Sequence, residues 1–177
     1  MTDTLTAVNA DGLDLVLSRL FDAPRALVFR AWTDDRMMSR WWGPHGYTAT
    51  ARLDARKGGR FELTMHGPDG VDYPVTGEFL DVVLNERLVL EMRLDDHPQN
   101  WHDYLAELFT KAGGPAGTSP TRTITTHVTF ADEAGGTRVT VVQSYPTAAD
   151  RAAFAAAGTI EGATQGFDKL AALLLKA

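Results

Sequence analysis

Apolar residues recur along the chain with two different periods, and each change of period predicts a new element. Alternation over residues 13–21 predicts a strand. Pro24 then predicts the start of a helix, because proline is compatible with the first helical position. Residues 33–35 predict a second short helix, with the Thr33 hydroxyl as its N-cap and acids in its first turn. Gly43 and Pro44 predict its end.

From residue 47 the period is two, which indicates strands separated by glycine-rich or polar turns. The pattern predicts an antiparallel meander with one interruption at residues 96–121, where residues 99–111 predict a short helix. The strands are expected within residues 47–54, 60–66, 71–83, 88–95, 124–130 and 139–145.

The last pattern is helical and covers residues 159–176, after a helical turn or two at 147–157. Its apolar face must cover another apolar surface, and the sheet offers the only large one. We therefore predict one α+β domain at residues 13–177, a curved antiparallel sheet wrapped around a long C-terminal helix, after a flexible segment at 1–12. The apolar face comprises Ile160, Ala163, Phe167, Leu170 and Leu174, and the opposite face Glu161, Gln165, Asp168, Lys169 and Lys176.

Composition narrows the function classes. A chain of 177 residues with 44% apolar and 23% charged residues can bury the core of one globular domain. The net charge of −6 and the scattered basic residues argue against a nucleic-acid binder. No cysteine is present, so thiol chemistry is excluded. The first ten residues do not resemble a signal peptide and no apolar run would span a membrane, so we expect a cytoplasmic protein.

Several stretches, in this order and spacing, are similar to the START-like (SRPBCC) superfamily. Within it, the chain most resembles the branch related to the C-terminal domain of the activator of the heat-shock-protein-90 ATPase. The resemblance extends from about residue 13 to residue 175. The stretches that carry it are residues 19–34, 40–44, 57–63, 66–70, 136–141 and 161–170.

The resemblance implies the helix-grip fold, in which the long helix closes a cavity against the sheet. The superfamily includes lipid and sterol carriers, polyketide cyclases, oxygenase subunits and co-chaperone domains, and it shares no catalytic residue set, so the fold does not choose among these functions. Relatives commonly carry tryptophan where this chain has Ala163. The difference predicts a larger or more open cavity here.

The parity of the strands and the face of the last helix select candidates for the cavity. Four of them are polar and are the candidates for a cyclase-like reaction: Arg19, Tyr73, Gln143 and Tyr145. Arg19 and the two tyrosines could orient a ligand oxygen. The preferred interpretation is that the four side chains cap buried backbone groups or lie at the rim of the cavity. The remaining candidates are Trp41, Phe61, Met65, Met92, Trp101, Ile160, Ala163 and Phe167. The tryptophans and methionines among them suit an irregular apolar ligand, but most of these side chains are expected to belong to the core.

A second cluster lies in the interruption of the meander. Two imidazoles with nearby acids could bind a metal ion, but a spacing of five residues places the histidines on different helical faces. A hydrogen-bonded loop is the preferred interpretation. The cluster comprises Asp95, Asp96, His97, His102 and Asp103.

The leading hypothesis is non-enzymatic binding of a small apolar or aromatic molecule between the sheet and the last helix, with no cofactor or metal. A co-chaperone module that contacts a chaperone and a polyketide-cyclase-like enzyme are the alternatives. Self-association as a homodimer through an edge strand or residues 96–121 is a further hypothesis. Nucleic acid and membrane spanning are not expected.

Overall fold

One antiparallel sheet forms the framework of the molecule. The computed structural model describes residues 4–8 and 12–177, with side chains from residue 12 onward. Its strands are β1 Thr4–Val8, β2 Asp14–Phe21, β3 Thr48–Leu53, β4 Arg60–His66, β5 Asp72–Val83, β6 Arg87–Arg93, β7 Thr123–Glu133 and β8 Gly136–Ser144. Its helices are α1 Arg25–Thr33, α2 Asp35–Trp41, α3 Gln99–Lys111, α4 Ala148–Ala156 and α5 Thr159–Leu174.

The strand order across the sheet is β1-β2-β8-β7-β6-β5-β4-β3. Strands β3 to β8 therefore form a continuous meander, in which each strand pairs antiparallel with the next. Strand β2 pairs with β8, so a strand from the beginning of the chain lies beside the last strand of the meander. Helix α5 lies across the inner face of this sheet, so the predicted α+β helix-grip fold is confirmed.

Local departures from the sequence predictions have simple causes. Residues 4–8 of the segment predicted to be flexible pair with β2 as strand β1, whereas residues 1–3 and 9–11 lie outside the described residues. The N-cap of α2 is Asp34, whose carboxylate accepts from the Met37 N–H at 2.9 Å. The Thr33 hydroxyl instead donates to the Phe29 carbonyl, so the prediction that Thr33 caps α2 was wrong.

The second half of α5 is packed tightly on the sheet. Gly166, Phe167, Leu170, Leu173 and Leu174 are buried. The Phe167 ring meets the Phe21 ring of β2 edge-on, with 5.3 Å between centroids. Burying side chains of this size stabilises the folded state by roughly 1.5–3 kcal/mol each. The predicted apolar face is thus confirmed along this half of the helix.

An ion pair between a buried arginine and a half-exposed aspartate joins the same half of α5 to the sheet. Arg19 points inward from β2 with only 2% of its side chain exposed, and its Nη1 lies 2.6 Å from Oδ1 of Asp168, which is 46% exposed. The Arg19 guanidinium also lies 5.5 Å from the centroid of the Phe21 ring. Asp168 therefore compensates the charge of an arginine that is almost sealed from water.

Other polar residues of α5 bind the loop between α2 and β3, at residues 42–47. Lys169 Nζ donates to the backbone carbonyls of Trp42, Pro44 and Tyr47 at 3.2–3.4 Å. Gln165 Oε1 accepts from the His45 N–H at 3.0 Å. Burial lowers the pKa of Lys169. The polar face of the helix is therefore partly an interface, and it fixes the position of loop 42–47.

We predict that Asp168→Ala lowers the free energy of unfolding by about 1–3 kcal/mol, because it leaves the Arg19 guanidinium buried beside no carboxylate. Urea denaturation measures the change. The double variant Arg19→Met/Asp168→Ala should recover part of the loss, since methionine removes the charge and keeps an apolar stem. Equal stability of Asp168→Ala and wild type would contradict this account of the pair.

We predict that Gly166→Ala stabilises the protein by roughly 0.5–1 kcal/mol, because alanine reduces the entropy of the unfolded chain and favours helix. A Cβ at Gly166 would meet its nearest neighbour, the Gly43 carbonyl, at an ordinary 3.5 Å. Gly77→Ala is the contrasting control, since its Cβ would lie 1.8 Å from the Glu91 carbonyl oxygen. Thermal unfolding should show opposite shifts, and a destabilised Gly166→Ala would refute the prediction.

Candidate functional site

A cavity of about 410 Å³ lies between the sheet and the first half of α5. Small-molecule sites in proteins typically enclose roughly 300–1,000 Å³, so this volume suits a compact ligand. Strands β2, β6, β7 and β8 form its floor through inward-facing apolar side chains, among them Leu15, Leu17, Met92, Ile124 and Val141. Helix α5 covers it through Ile160, Gly162 and Ala163, and Gly166 and Phe167 at the start of the packed half also border it.

Aromatic side chains from the helices and loops form the walls. The chain has four tryptophans, and all four line the cavity: Trp32, Trp41, Trp42 and Trp101. The Trp32 and Trp41 rings lie 4.8 Å apart between centroids, and Trp41 Nε1 donates to the Ala31 carbonyl at 2.8 Å. Direct packing and this hydrogen bond hold the wall in place.

Glycines with positive φ set the chain reversals on either side of the cavity. Gly43 has a φ of +93°, lies in loop 42–47 two residues after the end of α2, and borders the cavity. Gly158 has a φ of +91° and separates α4 from α5. Because residues with a Cβ are strained in this region, glycine allows α5 to start abruptly at the edge of the cavity.

The lining is uncharged. Within the part of the chain that the structure describes, no lysine, arginine, aspartate or glutamate borders the cavity. Its polar side chains are neutral: Tyr47, Tyr73, His97, Tyr104, Thr126, Gln143 and Thr159. An ionised ligand group would therefore lose its hydration without gaining an opposite charge.

His97 is held neutral in the wall. It is 8% exposed, and its Nδ1 lies 2.9 Å from the Pro74 carbonyl, so Nδ1 carries the proton and donates. Its ring contacts Trp101 at 4.5 Å and Tyr73 at 5.6 Å between centroids. Burial lowers the pKa of His97 to about 4, although the hydrogen bond to Pro74 acts in the opposite direction. Nε2 is then an acceptor at neutral pH.

Tyr73 at the cavity and Tyr145 beside Gln143 also remain uncharged. Burial raises the pKa of Tyr73, and nearby Tyr47 and Asp69 raise it further. Burial likewise raises the pKa of Tyr145, whose hydroxyl donates to Gln143 Oε1 at 3.0 Å. Neither phenol is therefore prepared to give up a proton at neutral pH, which makes both poor candidates for general acid–base catalysis.

The structure brings most of the predicted cavity residues together. Those that border it are Trp41, Met65, Tyr73, Met92, Trp101, Gln143, Ile160, Ala163 and Phe167. Three do not border it. Arg19 is bound to Asp168, Phe61 is fully buried against Trp42 and Phe79, and Tyr145 lies behind Gln143 and Phe154.

Other lining residues were not predicted as part of the site. Trp32 was not selected as a cavity residue, and Phe154 was not selected because α4 has little apolar pattern apart from alanine. Thr126 has the same parity on β7 as the buried residues Ile124 and Val128, and that parity could have identified it as inward-facing. His97 was considered as a metal ligand or as part of a hydrogen-bonded loop, but not as a residue of the cavity wall.

The histidine cluster is a hydrogen-bonded loop, as preferred. His102 Nε2 lies 3.3 Å from the Asp95 carbonyl, and His97 binds the Pro74 carbonyl. Within residues 12–177, no group of three or more His, Asp or Glu side chains is placed to hold a metal ion. The same residues include no helix long and apolar enough to cross a membrane.

A smaller cleft of about 270 Å³ lies at the surface of strands β4, β5 and β6, and its lining is charged, unlike that of the cavity. Its lining includes the charged side chains Arg60, Glu62, Glu78 and Arg93. Arg60 and Glu62 lie 3.6 Å apart, and Arg93 pairs with Glu91. These charges compensate one another at the surface, so the uncharged cavity is the better candidate for a binding site.

We predict that His97 makes the protein less stable in acid. Its folded-state pKa of about 4 lies below the ordinary 6.5, so between these values the unfolded chain binds a proton that the folded chain does not. The contribution of neutral His97 to the free energy of unfolding is fully present above about pH 6.5. The free energy of unfolding then falls by about 2–3 kcal/mol toward pH 4. Urea denaturation across this range measures it. His97→Asn, which retains a donor for Pro74, should show a shallower dependence, and identical dependences would exclude His97 as the cause.

Comparison with known proteins extends this picture. A family model described as "Activator of Hsp90 ATPase homolog 1-like protein" matches residues 22–175. The crystal structure of protein Ms6760 from Mycobacterium smegmatis is 27% identical, with a TM-score of 0.78 over 98% of this chain and 97% of that one. Protein NE0264 from Nitrosomonas europaea is 25% identical, with a TM-score of 0.75 over 96% of this chain and 97% of that one. A structure from Arthrobacter aurescens, 21% identical with a TM-score of 0.78 over 98% of this chain and 92% of that one, shares the fold.

No curated protein matches the chain. The family match covers most of the domain, and its residues include α1 to α5 and strands β3 to β8. The chain therefore belongs to the family of activator of Hsp90 ATPase homolog 1-like proteins.

Proposed function

We propose that this protein binds a small, uncharged, apolar molecule in the cavity between its sheet and the first half of α5, without catalysing a reaction on it. The observation that carries the proposal is the cavity of about 410 Å³ with aromatic walls and no charged lining residue among those described. Such a site gains affinity from apolar surface removed from water, and from aromatic contacts.

Position 163 supports the proposal. Ala163 faces the cavity from α5, and the space beneath it is not filled by another side chain of the helix. Relatives that carry tryptophan at this place would have a bulky ring there. The small methyl group of Ala163 therefore contributes to the room available for a ligand. A cavity larger than that of those relatives stays a prediction.

The polar groups favour binding over catalysis. A general base works best with a pKa near the operating pH, whereas the pKa of His97 is lowered to about 4. The pKa of Tyr73 is raised by burial, and the lining lacks a carboxylate among its described residues. A polyketide-cyclase-like reaction would therefore have little acid–base assistance in this cavity.

Contact with a chaperone is the alternative that the description of the family suggests. In that case the cavity would be dispensable and a surface would carry the function. Stimulation of a chaperone ATPase that persists when the cavity is filled would favour this alternative over the proposal.

The proposal predicts saturable binding of N-phenyl-1-naphthylamine, a neutral probe whose fluorescence increases in apolar surroundings. Ala163→Trp should weaken this binding by about tenfold or more, because the indole would occupy the space that the probe needs. Titration of fluorescence against protein concentration measures the dissociation constant.

Glu161→Trp provides the matched control, since it places the same side chain on an exposed position of the same helix. It should bind the probe like wild type. Circular dichroism checks that both variants fold. Failure of wild type to bind the probe saturably, or equal binding by Ala163→Trp and wild type, would overturn the proposed function.

A further inference from the structure

Two neutral hydrogen-bonding side chains lie next to each other on the floor of the cavity. Thr126 of β7 and Gln143 of β8 are direct partners in the antiparallel register, and both border the cavity. Directly opposite residues of an antiparallel pair have Cβ atoms about 4.5–5.5 Å apart. Their polar ends can therefore reach a common atom in the space above the sheet.

The orientation of the Gln143 amide is set by its neighbour. The Tyr145 hydroxyl donates to Gln143 Oε1 at 3.0 Å, so the oxygen is already bound. The Nε2 group donates to no described residue, and it remains accessible to a small molecule. Gln143 thus offers two N–H donors to whatever occupies the cavity.

Thr126 has a donor that is only weakly used. Its side chain is 2% exposed, and its hydroxyl donates to the sulfur of Met92 at 3.3 Å. Thioether sulfur is a weak acceptor, so a carbonyl oxygen would be a better partner for this hydroxyl. Rotation of the hydroxyl about the Cβ–Oγ1 bond is enough to change the direction of this donor.

The remainder of the cavity restricts the charge of the ligand. Two converging donors match the two lone pairs of one acceptor oxygen, but no described lining residue carries a positive charge that would compensate a carboxylate. A buried ion without a partner is costly, whereas a neutral carbonyl oxygen needs only hydrogen bonds.

We infer that Thr126 and Gln143 form a polar subsite that selects an uncharged ligand bearing a carbonyl oxygen, such as a ketone, ester or quinone, over an apolar carboxylate of similar size. The inference rests on the proposed function and names the ligand class for the same cavity. The oxygen accepts from Gln143 Nε2 and from the Thr126 hydroxyl. The apolar body of the ligand contacts the tryptophan walls and lies beneath Ala163.

Competition against N-phenyl-1-naphthylamine tests the subsite with three ligands that share one skeleton: 4-phenylcyclohexanone, phenylcyclohexane and 4-phenylcyclohexanecarboxylate. We expect the ketone to displace the probe, and the carboxylate to bind at least about tenfold more weakly than the ketone. Thr126→Val, which keeps the shape of the side chain, should weaken ketone binding roughly threefold to tenfold and leave binding of the hydrocarbon within about twofold.

Thr129→Val is the matched control, because Thr129 lies exposed on the outer face of the same strand. Gln143→Glu gives a second test, since it retains an acceptor for the Tyr145 hydroxyl and removes the amide donor; it should also weaken ketone binding. Retained binding of the hydrocarbon shows in each variant that the cavity is intact.

The outcomes separate the subsite from the function. If wild type binds the probe but the carboxylate competes as well as the ketone, the subsite is refuted and the cavity function stands. The same holds if Thr126→Val weakens ketone and hydrocarbon binding alike. If wild type does not bind the probe at all, the proposed function fails and the subsite fails with it.

Discussion

Helix α5 can cover the sheet and still leave a cavity because its two halves are held in different ways. Its second half is buried through Phe167, Leu170 and Leu174, and it is joined to β2 by the contact of Phe167 with Phe21 and by the Arg19–Asp168 pair. Its first half carries Gly162 and Ala163, which border open space. Tight packing of the second half therefore fixes the distance between the first half of the helix and the sheet. Without that constraint, apolar side chains would collapse into the space.

The same helix also positions one wall of the cavity. Lys169 binds three carbonyls of loop 42–47, and this loop contributes Trp42, Pro44 and Tyr47 to the lining. The charged ends of Lys169 and Asp168 are therefore used outside the cavity, against backbone carbonyls and Arg19. As a result, the fold has buried and half-buried charges close to the site while the lining itself stays neutral. This separation is what makes the cavity suited to an uncharged ligand.

Much of this arrangement was predictable from local pattern. The helix at residues 99–111 and the meander were identified because their apolar residues recur at periods of 3.6 and 2, and such periods depend only on neighbouring residues. Ala163 and Phe167 were placed on the inward face of α5 for the same reason. Strand parity also identified Tyr73, Met92 and Gln143 as inward-facing, and all three border the cavity.

Contacts between distant residues were not predictable in this way. Arg19 was correctly assigned to the inner face but not to Asp168, which is 149 positions away in sequence. Tyr145 has the same parity as Gln143, yet it lies behind it because Phe154 of α4 covers its ring. Strand β1 was missed because a strand at the edge of a sheet needs little apolar pattern. Each of these depends on which elements meet, and a single sequence does not show that directly.

The central claim is that the first half of α5 covers space rather than a solid core. A crystal of the protein pressurised with xenon tests it most directly, because xenon occupies apolar cavities that water leaves empty. The account predicts xenon between Ala163 of α5 and Met92 and Ile124 of the sheet. Absence of xenon there, with Trp101 or Met65 filling the space beneath Ala163, would contradict it.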